Sequence, residues 1–363
     1  MTSNREENNS GALEFFSSVK NDAWCGRKSG SEYEWWYFDA LSDDGDEVIS
    51  IVFLDNCVFS PAYNLRCGRN GAAEVDEEPS STPAVAFTYH RDGKPVYRSI
   101  CEYSEAEFEA SDEVTICRIG SNKFEYKKAS YGTGFFVQID LPLSRRRRLT
   151  AEFEWLSIES NLAAPSGSEA GKHRWNLVSP RSDVTGKISI VDRRGKTTKQ
   201  KFRGTGYHDH RSDDRWMPDA IEEWYWGRAH FPHTTAVYYR LLEKGNPDPV
   251  SRLMLVRDNK LIEYDCEFEF DGSTKTSRFG LSSPARFTIK ADEITLNVEN
   301  TVVIDSSFFC IRFRSDISLD YNGQIEEASG VSEYVLPGPL KNKWLNRLLA
   351  LRIGRNGKSA LIP

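Results

Sequence analysis

Glu34-Trp35-Trp36-Tyr37-Phe38-Asp39-Ala40 has a near-copy about half the chain later, Glu223-Trp224-Tyr225-Trp226-Gly227-Arg228-Ala229. Each segment runs on into an apolar, strand-like stretch, 48–54 and 235–242. A repeated aromatic frame that precedes a strand both times signals internal duplication of a β unit. Elsewhere the periodicity is two. Leu149, Ala151, Phe153 and Trp155 alternate with Thr150, Glu152 and Glu154, the pattern of a half-buried strand. Further strands are predicted over 114–119, 124–126, 187–192, 253–256, 261–270, 286–290, 293–298 and 308–317. Turn signals such as Asp92-Gly93, Arg194-Gly195 and Asn322-Gly323 separate them. Many short strands and little helix predict an all-β sandwich or barrel rather than an α/β fold. The duplication places one β domain at 32–203 and a second at 204–336. A flexible segment, 1–31, precedes them.

Residues 340–353 form the one good helix candidate, inside a basic tail at 337–363. Trp344, Leu345, Leu348, Leu349 and Leu351 make its apolar face, and no acid follows Lys341. The reading is a helix that caps a barrel, with a peripheral membrane contact as the functional alternative. The formal charge of −7 argues against nucleic acid as a partner. The run Arg145–Arg148 reads as a charged hairpin connection. No run approaches the roughly 20 apolar residues of a spanning helix. Seven scattered cysteines without a CxxC pair suit reduced thiols. The expected location is cytoplasmic, with contact at most at the inner face of the membrane.

The densest polar cluster is Gly204-Thr205-Gly206-Tyr207-His208-Asp209-His210. As a strand it puts Thr205, Tyr207 and Asp209 on one face and His208 and His210 on the other. By the same parity His173 and Trp175 share a face. A carboxyl, a phenol, an imidazole and an indole from two strands can then line one pocket. Gly204-x-Gly206 reads as close backbone approach or a bulge. His208-x-His210 and His230-x-x-His233 raise a metal site, but no HExxH motif is present and Pro232 disfavours a helical ligand pair. No metal and no cofactor are expected. Glu34 and Glu223 are expected to bind backbone or arginine, and Arg174 to pair with a carboxylate.

At 33–45, 58–61, His173-Arg174-Trp175, Gly204-x-Gly206-Tyr207-x-Asp209 and Trp224-x-Trp226 the chain resembles the carotenoid 1,2-hydratase (hydroxyneurosporene synthase-like) family. The resemblance implies two lipocalin-like β domains in tandem and a hydrophobic polyene or isoprenoid substrate. It also implies Asp209 as the acid, with Tyr207, His173 and Trp175 as the other catalytic residues. Trp35, Trp36, Tyr37, Trp224 and Trp226 are the expected substrate-binding aromatics. The chain departs from the hydratase pattern at His210-Arg211-Ser212-Asp213-Asp214-Arg215-Trp216 and at Asp55-Asn56-Cys57. The implied chemistry is protonation of a terminal double bond by a neutral, desolvated Asp209, then capture of the tertiary cation by water. A cyclase or Diels-Alderase-like enzyme and a non-catalytic carrier of hydrophobic ligands are the alternatives.

Overall fold

The computed structural model describes residues 13–361 apart from 28, 71–80, 130–131 and 163–172. The first sheet takes β1 (Leu13–Phe16), β2 (Tyr33–Ser42), β3 (Glu47–Leu54), β4 (Ala84–Arg91), β5 (Lys94–Glu102) and β6 (Phe108–Ala110). It continues with β7 (Ile116–Ile119), β8 (Asn122–Ala129), β9 (Gly132–Leu143), β10 (Arg147–Glu159), β11 (His173–Val191) and β12 (Thr197–Asp213). The second begins with β13 (Ile221–His230), β14 (Thr235–Glu243), β15 (Val250–Arg257), β16 (Lys260–Asp265) and β17 (Glu267–Phe270). A small pair, β18 (Thr274–Thr276) and β19 (Ser282–Pro284), precedes β20 (Arg286–Ala291), β21 (Ile294–Ser306), β22 (Cys310–Tyr321) and β23 (Gln324–Val335). The last strand, β24 (Gly354–Arg355), returns to the first sheet beside β5.

The all-β expectation holds, and both sheets are barrel-like and lipocalin-like. The order β24-β5-β4-β3-β2-β12-β11-β10-β9-β8-β7-β6 curls the first sheet, and β16-β15-β14-β13-β23-β22-β21-β20-β17 the second. The aromatic frames are β2 and β13, each leading into its hairpin partner, β3 and β14. Between β9 and β10 the arginine run makes a tight turn, as expected.

Strand alternation decides where each core lies. From β2, Trp36, Phe38 and Ala40 point into the first barrel, beside Phe124, Phe135, Phe153 and Trp155. Tyr33, Trp35, Tyr37 and Leu41 point out of it, toward Trp224, Trp226 and Tyr239 of the second sheet. The second barrel has its own interior of Tyr238, Leu253, Phe287, Ile289 and Leu296. A buried aromatic or aliphatic side chain contributes about 1.5–3 kcal/mol, so the seam between the sheets is a third core rather than a loose junction.

Three expectations need correction. The boundary expected between 203 and 204 falls inside β12, one strand bonded to β11 along its length and to β2 from Gly204 onward. The change of sheet comes between Asp213 and Ile221. Within the lead-in, 13–27 is packed rather than flexible: β1 pairs with β11, Phe15 meets Trp175 at 5.2 Å and Asp22 is buried. Residues 1–12 lie outside the described residues. The helix expected over 340–353 is shorter, a 3₁₀ turn at Gly338–Lys341 followed by an α-helix at Lys343–Ala350. A helix at Pro61–Asn70 carries no apolar stripe in sequence and goes unpredicted. Gly204 and Gly206 do mark close approach: a Cβ at Gly206 would collide with the Trp155 indole nitrogen, and one at Gly204 with the Leu41 carbonyl.

Candidate active site

Asp209 is fully buried on the seam face of β12, with Tyr207 and Arg211 beside it on the same face. Its Oδ2 accepts from the Tyr207 hydroxyl at 2.8 Å and from Trp175 Nε1 at 3.0 Å. Arg211 adds Nε at 3.0 Å and Nη2 at 2.6 Å. Every donor meets one oxygen; Oδ1 is buried with no hydrogen-bond partner. Of the four residues expected to meet from two strands, Asp209, Tyr207 and Trp175 do so. Burial, with the Asp209 charge adding to it, pushes the Tyr207 phenol well above its ordinary range, so Tyr207 acts as a donor.

Arg211 was not foreseen, although its parity with Asp209 is the signal that could have found it. Its guanidinium stacks over Trp175 at 4.9 Å, Trp226 at 5.4 Å and Tyr239 at 5.5 Å. One face of Trp175 is therefore covered by a cation, and its N–H serves Asp209. Trp175, expected among the catalytic residues, is placed to position the acid through its N–H.

His173 sits one step away. Nδ1 lies 3.2 Å from Asp213 Oδ2 and Nε2 lies 3.2 Å from the Tyr239 hydroxyl. Asp213 also accepts from Arg215 Nε and Nη2, each at 2.9 Å. Burial works against its charge, but the bonds from His173 and Arg215 outweigh it and hold the carboxyl below its ordinary range. His173 is thus tied to Asp213 and Tyr239, and no hydrogen bond joins it to Asp209.

A second tyrosine–aspartate pair faces the first. In register, Asp209 lies opposite Tyr37 and Tyr207 opposite Asp39. The Tyr37 hydroxyl donates to Asp39 Oδ2 at 2.9 Å, and Arg228 from β13 donates Nε to Oδ1 at 2.9 Å. Burial pushes the Asp39 carboxyl up despite Arg228. The Arg228 partnership is not local in sequence.

A cavity of about 150 Å³ opens between the sheets. Trp35, Tyr37, Trp224, Trp226, Phe309 and Arg211 line part of it, and Leu349 and Ile353 from the C-terminal segment close one wall. The helix therefore caps a cavity, although this one lies on the seam rather than inside a barrel. Asp209 stands behind Arg211 instead of on the wall. Of the five expected substrate-binding aromatics, Trp36 is misplaced. It faces the barrel interior, donates Nε1 to the Asp22 carbonyl at 3.0 Å and stacks on His210 at 4.7 Å. Adjacent residues of a strand cannot share a face.

On that interior face the two other histidines meet acids. His208 Nε2 is 3.1 Å from Asp22 Oδ2, and His210 Nε2 is 2.6 Å from Glu34 Oε1. Glu34 also takes the Cys25 backbone N–H at 3.0 Å, Glu223 pairs with Arg240 at 2.6 Å and Arg174 with Glu14 at 3.2 Å, all as expected. Cys25, Glu34 and His210 bring one ligand-type atom each within 4.8 Å. Glu34 and His210 are already bound to each other at 2.6 Å, and Cys25 is exposed beside them. This donor set suits ion pairs better than a metal.

Comparison with known proteins agrees with the motif resemblance. The family model described as carotenoid hydratase CrtC matches residues 143–361, more than half of the chain. A Chlorobaculum tepidum protein named hydroxyneurosporene dehydrogenase is 29% identical over 355 residues, 93% of this chain and 91% of its own. The acyclic carotenoid 1,2-hydratase of Rubrivivax gelatinosus is 24% identical over 220 residues, 60% of this chain and 50% of that protein. Two solved structures share the fold. CghA with Sch210972 has a TM-score of 0.56 at 11% identity, over 85% of this chain and 89% of its own. A putative AttH from Nitrosomonas europaea has 0.55 at 14%, over 84% and 92%. With the buried acid, the aromatic seam and the matching segments in place, the chain belongs to the carotenoid hydratase CrtC family and is a hydratase-like enzyme.

Proposed function

We propose that the enzyme adds water to a terminal double bond of an acyclic carotenoid or shorter isoprenoid, with Asp209 as the proton donor. One observation carries the reading: four N–H and O–H donors converge on Asp209 Oδ2 while Oδ1 has no partner. In the acid form the proton to be given away resides on Oδ1. When it leaves for an alkene carbon that has come past Arg211 from the cavity, the carboxylate left behind is already surrounded by Tyr207, Trp175 and Arg211. Donors fixed where charge develops need no reorganisation during the step. The tertiary cation lies among the faces of Trp35 and Trp224, each worth roughly 0.5–2 kcal/mol to a cation. Water adds its oxygen to the cation, its extra proton returns to Asp209, and the product is a tertiary alcohol. The reaction is redox-neutral and calls for no cofactor.

The test is incubation with acyclic carotenoids and shorter terpenoids in heavy water. The expected product has gained one heavy water. A product of unchanged mass but altered mobility would replace hydration with cyclisation, and substrate recovered unaltered would leave a carrier.

The C-terminal helix supports contact with a lipid surface, where such a substrate resides. Leu349 faces the cavity, while Trp344 is 73% and Leu348 47% exposed on the other side, among Lys343 and Arg347. No helix among the described residues is long and apolar enough to cross a membrane. Co-sedimentation with phosphatidylserine vesicles, lost in Trp344→Ser/Leu348→Ser, is the expected result; equal recovery of both proteins with the vesicles would refute it.

A further inference from the structure

The cavity wall carries more charge than a hydrocarbon requires, and most of it is satisfied within the protein. Arg98 pairs with Asp305 at 3.0 Å. Arg312 pairs with Glu333 at 2.9 Å and donates Nη1 to Ser50 Oγ at 2.9 Å. Arg211 is committed to Asp209. Besides Trp226 Nε1, two donors on the same wall are left over. Trp224 is 3% exposed, and its Nε1–H is buried with no acceptor. Arg352 reaches the Ser306 carbonyl with Nη1 only at 3.4 Å, and its Nη2 is buried with no partner. Among the described residues, Arg352 is the one cavity-lining arginine with no carboxylate partner. The Phe279 ring, 5.1 Å from its guanidinium, holds it in place.

Buried donors without acceptors are uncommon because leaving them unmade costs the full desolvation of the group. An apolar ligand would seal both in that state. A ligand with oxygen would satisfy them, and a guanidinium without a counter-charge favours an anionic oxygen. The rest of the wall, with Leu54, Phe59, Phe309 and Leu349, still demands an apolar body.

We infer that the cavity selects an acyclic apolar chain carrying a carboxylate: Arg352 binds the carboxylate, and Trp224 Nε1 donates to a second oxygen or to water held with the ligand. This names the substrate class for the site assigned above and rests on that cavity being the substrate site. The chemistry of Asp209 is unaffected, since Arg352 and Arg211 come from different elements and each has its own anion.

The test compares two probes of matched chain, farnesoic acid and the hydrocarbon farnesene, by quenching of tryptophan emission at pH 7.5. The acid is expected to bind about tenfold or more tightly than the hydrocarbon, the scale of one charge-assisted hydrogen bond. In Arg352→Met that preference should vanish through weaker binding of the acid, while farnesene binds as before; Arg352→Lys should restore part of it. Equal binding of the two probes by the unmodified protein would overturn the inference, as would a preference that survives Arg352→Met. Failure of both probes to bind would overturn this inference together with the site assignment. A carboxylate preference in an enzyme that hydrates nothing would overturn the hydration reading alone. Hydration of hydrocarbon carotenoids by a protein indifferent to the carboxylate would overturn the present inference alone.

Discussion

Arg211 grips Asp209 through a single carboxylate oxygen, with Nε and Nη2 both directed at Oδ2. The usual bidentate pair spreads its two bonds over both oxygens. Here the other oxygen, Oδ1, is left without a partner, and the guanidinium is held among the rings of Trp175, Trp226 and Tyr239. Arg211, one residue of the 210–216 stretch where the chain departs from the hydratase pattern, is therefore the one that meets Asp209.

Asp209→Asn separates catalysis from charge balance. Loss of the proton donor should lower turnover by about 10²- to 10⁴-fold, the range of general acid catalysis. The variant also leaves Arg211 buried without its anion, which costs about 3–5 kcal/mol of stability, so the melting temperature should fall. Asp209→Asn/Arg211→Met should regain much of the stability and none of the turnover. Recovery of turnover in the double variant would remove Asp209 from the chemistry.

Neighbouring tryptophans should fail differently. Trp35 lines the cavity and Trp36 packs in the barrel against His210. Trp35→Phe should raise KM with little change in melting temperature. Trp36→Phe leaves a cavity and removes the bond to the Asp22 carbonyl, so it should cost about 1–3 kcal/mol in denaturant unfolding with KM unchanged. A KM effect confined to Trp36→Phe would invert the assignment of faces.

Much of this was legible because strand parity is a local property. The grouping of Tyr207 with Asp209, of His173 with Trp175, and of His208 with His210 on the opposite face follows from alternation alone, and so would Arg211 have followed. The aromatic frames were legible as β2 and β13, but treating Trp35 and Trp36 as one patch ignored the same rule. What stayed hidden is long-range: Tyr239 on His173, Arg228 on Asp39 and Arg312 on Tyr37 arise where two sheets meet. Nothing in the local pattern shows that the outer face of β2 is covered. The boundary expected at 203/204 failed for a related reason, because the polar cluster was assigned to the repeat that follows it while hydrogen bonding joins it to the strand before.

Gly206→Ala tests the close packing behind the acid. A methyl group there meets the Trp155 indole and the Asp39 carbonyl, and the carbonyl belongs to the paired strand and cannot withdraw. Overpacking of this kind costs about 1–3 kcal/mol. Chemical denaturation should show the loss; a midpoint equal to that of the unmodified protein would mean that β2 and β12 have slack there.

Stability should fall with rising pH above neutrality, because of His210. Burial disfavours its charge, but Glu34 and Asp22 outweigh that and lift the imidazole to about 9. The unfolded chain releases the same proton near 6.5. Below that value both states hold the proton and the full contribution is present. Between about 6.5 and 9 only the folded state holds it, so each pH unit removes stability, and above the folded value the contribution is gone. The total is about 3–4 kcal/mol at most. Asp22 is held below its ordinary range, with His208 and His210 overcoming burial, so its contribution is constant across this window. Asp55, which burial and then Glu34 raise to about 7, titrates at the lower edge. The slope is therefore cleanest from pH 7.5 to 9. Thermal unfolding should show the melting temperature declining steadily there, and His210→Gln should flatten the profile at a lower plateau. An undiminished slope in that variant would assign the proton to another group and leave the Asp22–His210–Glu34 chain uncharged in the folded protein.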